Sequence, residues 1–312
     1  AAAAAAQDAA ARVEALEKER AVMVVDSLAQ VQREQEVVDF VEDNSRCPQS
    51  SLSRKRKAPP KKYGEPTIFC WMLVAPIEYE IELLRTQLCL NTSLFLCDEH
   101  LVISNTSLRA KLADVPGAAM MNELVLRQSL HVVKGGPWNT ALNTDLFIAV
   151  WNEIFSRRLH LRQEWTIKLD ADTVFIPERM PVLLHKTVQA SSPEVFTDFY
   201  VNSCPWCIIK LIGPIEVFPR AAMQHLFEGF EQCRKGVEYG DVSEDVFLER
   251  CFALLKVPAV NPNAKLLLPA WKVQNAELKH CKEKWAAVHP FKEAAALQRC
   301  YEMSYGVGGE GK

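Results

Sequence analysis

Two aspartates one residue apart, Asp170 and Asp172, follow the apolar run Trp165-Thr-Ile-Lys-Leu169. If that run is a strand, alternation turns both carboxylates to the same side. Like charges so close are costly unless a cation lies between them or donors satisfy each, so a divalent metal with oxygen ligands is a natural occupant. Open α/β sheets bind ligands at the edge where such strands end. A bare D-x-D also marks ordinary turns, and it is the preceding strand that separates the two readings.

A second pair of acids lies in Tyr239-Gly-Asp-Val-Ser-Glu-Asp-Val-Phe-Leu-Glu-Arg250. Ser243 is expected to cap a helix with the apolar stripe Val246, Phe247, Cys251 and Leu254, placing Glu244 and Asp245 in its first turn. Acids are favourable at a helix start for electrostatic reasons alone. A carboxylate fixed there, near a sheet edge, is also well placed as a general base. The third segment is Trp285-Ala-Ala-Val-His-Pro-Phe-Lys292, where His289 is a lone imidazole whose meaning depends on its neighbours.

The elements that must position these groups alternate between β and α patterns. Thr67–Ala75 is a nearly continuous apolar run, suited to a strand buried on both faces, and Tyr79–Leu90 has helical spacing. Two apolar stretches flank Asp98-Glu99 between Ser93 and Ser104. Thr144–Leu159 reads as an amphipathic helix, Trp165–Leu169 as a strand and Pro177–Gln189 as a helix. Glu194–Val201 and Cys207–Phe218 read as strands, Arg220–Arg234 and Ser243–Lys256 as helices. This alternation predicts an α/β domain with a mixed, mostly parallel sheet, spanning residues 63–305.

Residues 1–43 differ in kind. Gln7–Phe40 holds helix formers without Gly or Pro, with Val24, Leu28, Val31 and Val38 in a partial heptad interrupted at Gln35, which fits a helical stalk or coiled coil able to form a homo-oligomer through residues 7–40, or equally a single solvated helix packing on nothing. Residues 44–62 read as a basic, Pro-containing linker ending in Arg54-Lys-Arg-Lys-Ala-Pro-Pro-Lys-Lys62, and 306–312 as a tail.

Composition sets limits on function. The 312 residues carry 36 basic and 39 acidic side chains, a net charge of −3, so the chain has no electrostatic case for coating nucleic acid. With 49% hydrophobic and 24% charged residues it is not collagen, wholesale disorder or a multi-span membrane protein. Ten cysteines and the sequons at Asn91 and Asn105 are compatible with an oxidising lumen, while spacing alone does not pair the cysteines.

In this order, Lys168-Leu-Asp-Ala-Asp-Thr-Val174, Glu244-Asp245-Val246 with Arg250-Cys251, and the segment around His289 resemble the inverting nucleotide-sugar glycosyltransferases of the GT-A fold. The likeness is strongest to the β1,3-transferases that include Fringe and the core 1 galactosyltransferase, and it is a likeness of motifs over residues 67–292. Where that family usually has three acids, this chain has Asp170-Ala171-Asp172, keeping the outer pair. The resemblance implies a Rossmann-type α/β/α sandwich and a sugar moved from a nucleotide donor, UDP-linked, to a glycan, protein or small-molecule hydroxyl, with inversion. It implies that Asp172, with His289 and Asp170, ligates Mn2+ or Mg2+, that Asp170, Asp98 and Lys292 contact the donor, and that Asp245 is the catalytic base with Glu244 as the fallback. It also implies the lumen of the Golgi or ER, as part of a type II membrane protein whose targeting segment and membrane tether lie outside this chain.

Two other readings compete. Asp170-Ala-Asp-Thr-Val also satisfies the haloacid-dehalogenase phosphatase pattern, with Asp170 as nucleophile, Asp172 as acid/base and Asp241 or Asp245 as a Mg2+ ligand. That pattern requires Gly240-Asp241 to end an apolar strand and the first motif to open the domain, and neither fits the sequence. A non-catalytic stalked interaction protein predicts carboxylates that bind no metal. Cys204-Pro-Trp-Cys207 lies between strand-like runs rather than at a helix start, so a disulfide or two inert thiols is expected instead of a redox motif.

Overall fold

The structure, a computed structural model, describes residues 47, 48, 50, 52, 64–191, 198–262, 265–268 and 278–306. The stalk, the basic run 54–62, the oligomerisation through residues 7–40 and the tail after Gly306 lie outside the described residues. Two positions within the expected linker are anchored: Leu52 is buried, and Cys47 is disulfide-bonded to Cys89.

The strands in chain order are β1 (Ile68–Leu73), β2 (Glu99–Ser104), β3 (Glu123–Val125), β4 (Lys134–Gly135), β5 (Thr140–Ala141), β6 (Trp165–Asp170) and β7 (Val174–Phe175). Then follow β8 (Tyr200–Val201), β9 (Ile215–Pro219), β10 (Ala259–Val260), β11 (Leu267–Leu268) and β12 (Ala287–Val288). The helices are α1 (Glu78–Leu90), the single turn α2 (Leu108–Lys111), α3 (Thr144–Ser156), α4 (Met180–Ala190), α5 (Arg220–Gly236), α6 (Glu244–Leu254) and α7 (Ala294–Ser304).

The central sheet has the order β3-β2-β1-β6-β9, parallel except for β9, which runs antiparallel to β6. Alternation sends Ile68, Cys70 and Met72 of β1 to one face, where they pack with Ile81 and Leu84 of α1 and Met180 and Leu184 of α4. Phe69 and Trp71 go to the other, against Trp151 and Ile154 of α3, Met223 and Phe230 of α5 and Phe247 of α6. The Trp71 and Trp151 rings meet edge-on at 4.9 Å, an arrangement aromatic pairs favour. Helices on both faces of a mostly parallel sheet give the α/β domain expected from the alternating pattern, layered as the α/β/α sandwich that the resemblance implied.

Several expected elements change. Ser93–Leu96 forms a 3-10 turn, so Asp98 precedes a strand instead of following one. The strand expected over Cys207–Phe218 is confined to its last residues. Lys210 and Leu211 donate their amides to the Glu249 carboxylate at 2.5 and 3.0 Å, and Pro214 has no N–H for a ladder. Of Glu194–Val201, residues 194–197 lie outside the described set and Tyr200–Val201 pairs with β10. Leu254, expected in the apolar stripe of α6, is 39% exposed.

All ten cysteines pair: Cys47–Cys89, Cys70–Cys97, Cys204–Cys207, Cys233–Cys251 and Cys281–Cys300. Cys204–Cys207 closes a turn between β8 and β9, and Cys233–Cys251 ties α5 to α6. No helix of the described residues is long and apolar enough to cross a membrane.

Candidate metal and donor site

The strand β6 ends on Asp170 at the carboxyl edge of the sheet, and the chain turns there so that Asp170 O accepts from Thr173 N. β7 follows at once and pairs antiparallel with β12, Val174 opposite Val288. That register brings the next residue, His289, beside the D-x-D turn, and Phe291 N closes the contact by donating to Asp172 O at 2.8 Å. Phe291, Leu297, Cys300 and Tyr301 bury the β12–α7 segment against Val174 and Ile176, with Cys281–Cys300 as a covalent tie. A distant piece of sequence is thereby held at the carboxylates.

One oxygen from each of Asp170 and Asp172 and one ring nitrogen of His289 lie within 4.8 Å of one another. Ligand atoms on opposite sides of a Mg2+-sized ion stand about 4.2 Å apart, twice the usual bond length, so the cluster needs little adjustment to hold a cation. His289 Nε2 is 3.3 Å from Asp172 Oδ1, and Lys292 Nζ is 2.5 Å from Asp172 Oδ2. Oδ2 is buried, and the Lys292 ammonium is its charged partner. His289 Nδ1 is also buried, with no hydrogen bond among the described residues. Two carboxylates and an imidazole form a donor set that suits a divalent cation. Burial pushes the Asp172 carboxyl up, but the hydrogen bond and charge of His289, with the charge of Lys292, outweigh it and hold the group at about 2. Lys292 is 62% exposed and also lies over the Tyr79 ring at 5.3 Å.

The second acidic pair stands at the start of α6. Ser243 occupies the N-cap position of α6, yet its hydroxyl donates to Asp245 Oδ1 at 2.5 Å instead of accepting from the helix. Asp245 Oδ1 also accepts from Val246 N at 2.8 Å, and Oδ2 from Gly213 N at 3.0 Å. A Cβ placed on Gly213 would lie 3.6 Å from Asp170 Oδ2 and 3.7 Å from Asp245 Oδ2, so the two acids face one small gap. Glu244 points inward: it is 3% exposed, accepts from Asn143 Nδ2 at 3.3 Å and meets Lys168 Nζ at 2.5 Å. Burial raises its carboxyl, and Lys168 opposes that effect.

Asp98 is elsewhere. It precedes β2, at the amino edge of the sheet, where its Oδ2 accepts from Ile68 N at 2.7 Å. Six residues of strand, about 16–20 Å, separate that edge from Asp170. The donor contact expected for Asp98 is therefore corrected: it holds the start of β1. The phosphatase reading also fails, because the residues before Gly240 form α5 instead of a strand and Asp241 is exposed in a turn. The sequence offers signals for two further residues that the motifs leave without a role. Lys168 stands two before Asp170 and so shares its side of β6, while Glu216 is an acid inside the apolar strand Ile-Glu-Val-Phe of β9.

No family model matches the chain, and no curated protein matches it. Among solved structures it is similar to one described as the crystal structure of a glycosyltransferase involved in the glycosylation of the major capsid of PBCV-1, at 14% identity and a TM-score of 0.40, covering 77% of this chain and 100% of that one. A likeness of that size carries no functional weight, and the site geometry has to.

Proposed function

We propose that the protein is a metal-dependent glycosyltransferase that moves a sugar from a nucleotide donor, UDP-linked, to a hydroxyl acceptor on a glycan, protein or small molecule, with inversion. The observation that carries this reading is the facing of two chemistries across one gap. An oxygen of Asp170, which belongs to the metal-capable cluster with Asp172 and His289, and an oxygen of Asp245 both lie within 4 Å of the place a Cβ on Gly213 would take.

Asp172, His289 and Asp170 would hold the cation, Mn2+ or Mg2+, which would supply Lewis-acid stabilisation of the leaving diphosphate without proton transfer. Lys292, exposed and already beside Asp172, reaches the phosphates as a second positive charge. Asp245 accepts the proton of the acceptor hydroxyl while that oxygen bonds to the sugar carbon and the bond to the diphosphate breaks. The base and the leaving group then lie on opposite faces of the carbon, which inverts it, through an oxocarbenium-like transition state. Asp245 suits the base role better than Glu244, because it is partly exposed while Glu244 is committed to Lys168 and Asn143. Five disulfides support an oxidising compartment, the lumen of the ER or Golgi.

The test is a screen of nucleotide sugars for thermal stabilisation and for UDP release, with and without Mn2+, since a ligand of the native state raises stability with the logarithm of its concentration over its affinity. The reading requires both effects to vanish with a chelator. Hydrolysis of simple phosphate esters, with no response to any nucleotide sugar, would return the chain to the phosphatase class. A chain that binds no metal would be the non-catalytic protein.

A further inference from the structure

The mechanism leaves one buried charge unused. Lys168 is 1% exposed, in the middle of the sheet, with its ammonium 4.9 Å from the centre of the Phe147 ring. An ammonium has three N–H donors. Its three close partners are Asp170 Oδ1 at 2.8 Å, Glu244 Oε1 at 2.5 Å and Gly213 O at 2.8 Å. These belong to the end of β6, the start of α6 and the loop entering β9. The same three places carry the metal-side carboxylate, the neighbour of Asp245 and the amide that holds Asp245 Oδ2. A third acid, Glu216, is directly opposite Lys168 on β9 at 3.7 Å, and neither of its oxygens is hydrogen-bonded among the described residues.

Stability does not demand such a group. Taking an ammonium out of water costs several kcal/mol, and well-packed apolar residues in place of a buried ion cluster are often neutral or stabilising. What the ammonium supplies is geometry, because one point donor fixes three elements at once. Resting on the transferase reading above, we propose that Lys168 is a positioning residue. It fixes Asp170 relative to the cation and, through Glu244 and Gly213, fixes Asp245 across the gap, so that the two halves of the reaction keep one separation.

Lys168→Met removes the ammonium but leaves buried acids behind, so it is paired with the double variant Lys168→Met/Glu244→Gln, which also removes the adjacent acid. Folding is followed by circular dichroism. Mn2+ affinity of the donor-free protein is measured by titration calorimetry, and kcat and KM by UDP release. In the variant that folds, Mn2+ affinity is expected to fall about 10-fold or more, as for loss of groups that orient metal ligands. Its kcat is expected to fall about 100-fold, the scale of a misplacement near 1 Å. Glu216→Gln, which removes the acid outside the three contacts, is expected to stay within about threefold of wild type on both, the bound set by its lack of any hydrogen bond to the site. A folded Lys168 variant with wild-type Mn2+ affinity and kcat would show a merely structural lysine and overturn the proposal. Wild-type protein that binds Mn2+ without releasing UDP would overturn the transferase reading while the affinity arm still decided the role of Lys168. Wild-type protein that binds no Mn2+ would overturn both.

Discussion

The two edges of the central sheet hold similar residues under opposite conditions. At the amino edge each charge has a local partner. Asp98 accepts from Ile68 N, Glu164 accepts from Thr67 N at 2.8 Å, and Arg162 pairs with Glu99 at 2.6 Å near the surface. At the carboxyl edge Asp172, Lys168 and Glu244 are buried and close together, and beside them both oxygens of Glu216 and Nδ1 of His289 are buried without a hydrogen bond among the described residues. A cleft of about 930 Å3 opens at the amino edge between α4 and α5, with Trp165, Pro181, Val182 and Leu184 in its wall. Volume alone would place a ligand there. The carboxyl edge is the stronger site because burying charges without full pairing is costly, and a cation with its anionic ligand supplies the missing partners.

The contrast can be broken first at its strongest point. Asp172→Asn removes a metal ligand and is expected to abolish both Mn2+-dependent stabilisation and UDP release, read by thermal shift and coupled assay. Next, Asp245→Asn should retain Mn2+ and donor binding while kcat falls by about 10²- to 10⁴-fold, the usual range for a general base. Equal loss of binding and turnover in that variant would assign Asp245 to the donor side.

The metal-free protein offers a pH test of the same edge. The Asp172 carboxyl is held at about 2, below its ordinary 3.8, so it contributes stability above about pH 4 that is lost as pH falls through about 2. Acid unfolding of wild type, followed by circular dichroism, should therefore show a component between about pH 4 and 2 that Asp172→Asn lacks.

The amino edge should respond only through stability. Asp98→Ala is expected to cost about 1 kcal/mol by leaving Ile68 N without its acceptor, with kcat unchanged in the folded enzyme. Smallest of all, Val182→Ser in the cleft wall, 63% exposed, should shift stability by less than about 0.5 kcal/mol and leave turnover alone. A large loss of activity from either variant would move the site to the amino edge.

The legible parts of the molecule are those where one pattern runs long enough to repeat. β1, α1, α3 and β6 are apolar runs or stripes many residues long, and both acidic motifs can be read directly from their spacing. The meeting of His289 with Asp172 cannot. It depends on β7 and β12, two residues each, too short to show any period. Asp98 is misplaced by pattern alone because Ser93-Leu-Phe-Leu96 is as apolar as a strand, and only hydrogen bonding makes it a 3-10 turn. Lys168 and Glu216 are invisible as partners because they are opposite each other across an antiparallel pair whose register the sequence does not display.

The most direct measurement of the central claim is release of UDP from nucleotide sugars by the wild-type chain as Mn2+ is added and then chelated. The account predicts release that appears with Mn2+, stops with the chelator and is absent in Asp172→Asn. Release that persists undiminished in the chelator, or in Asp172→Asn, would contradict it.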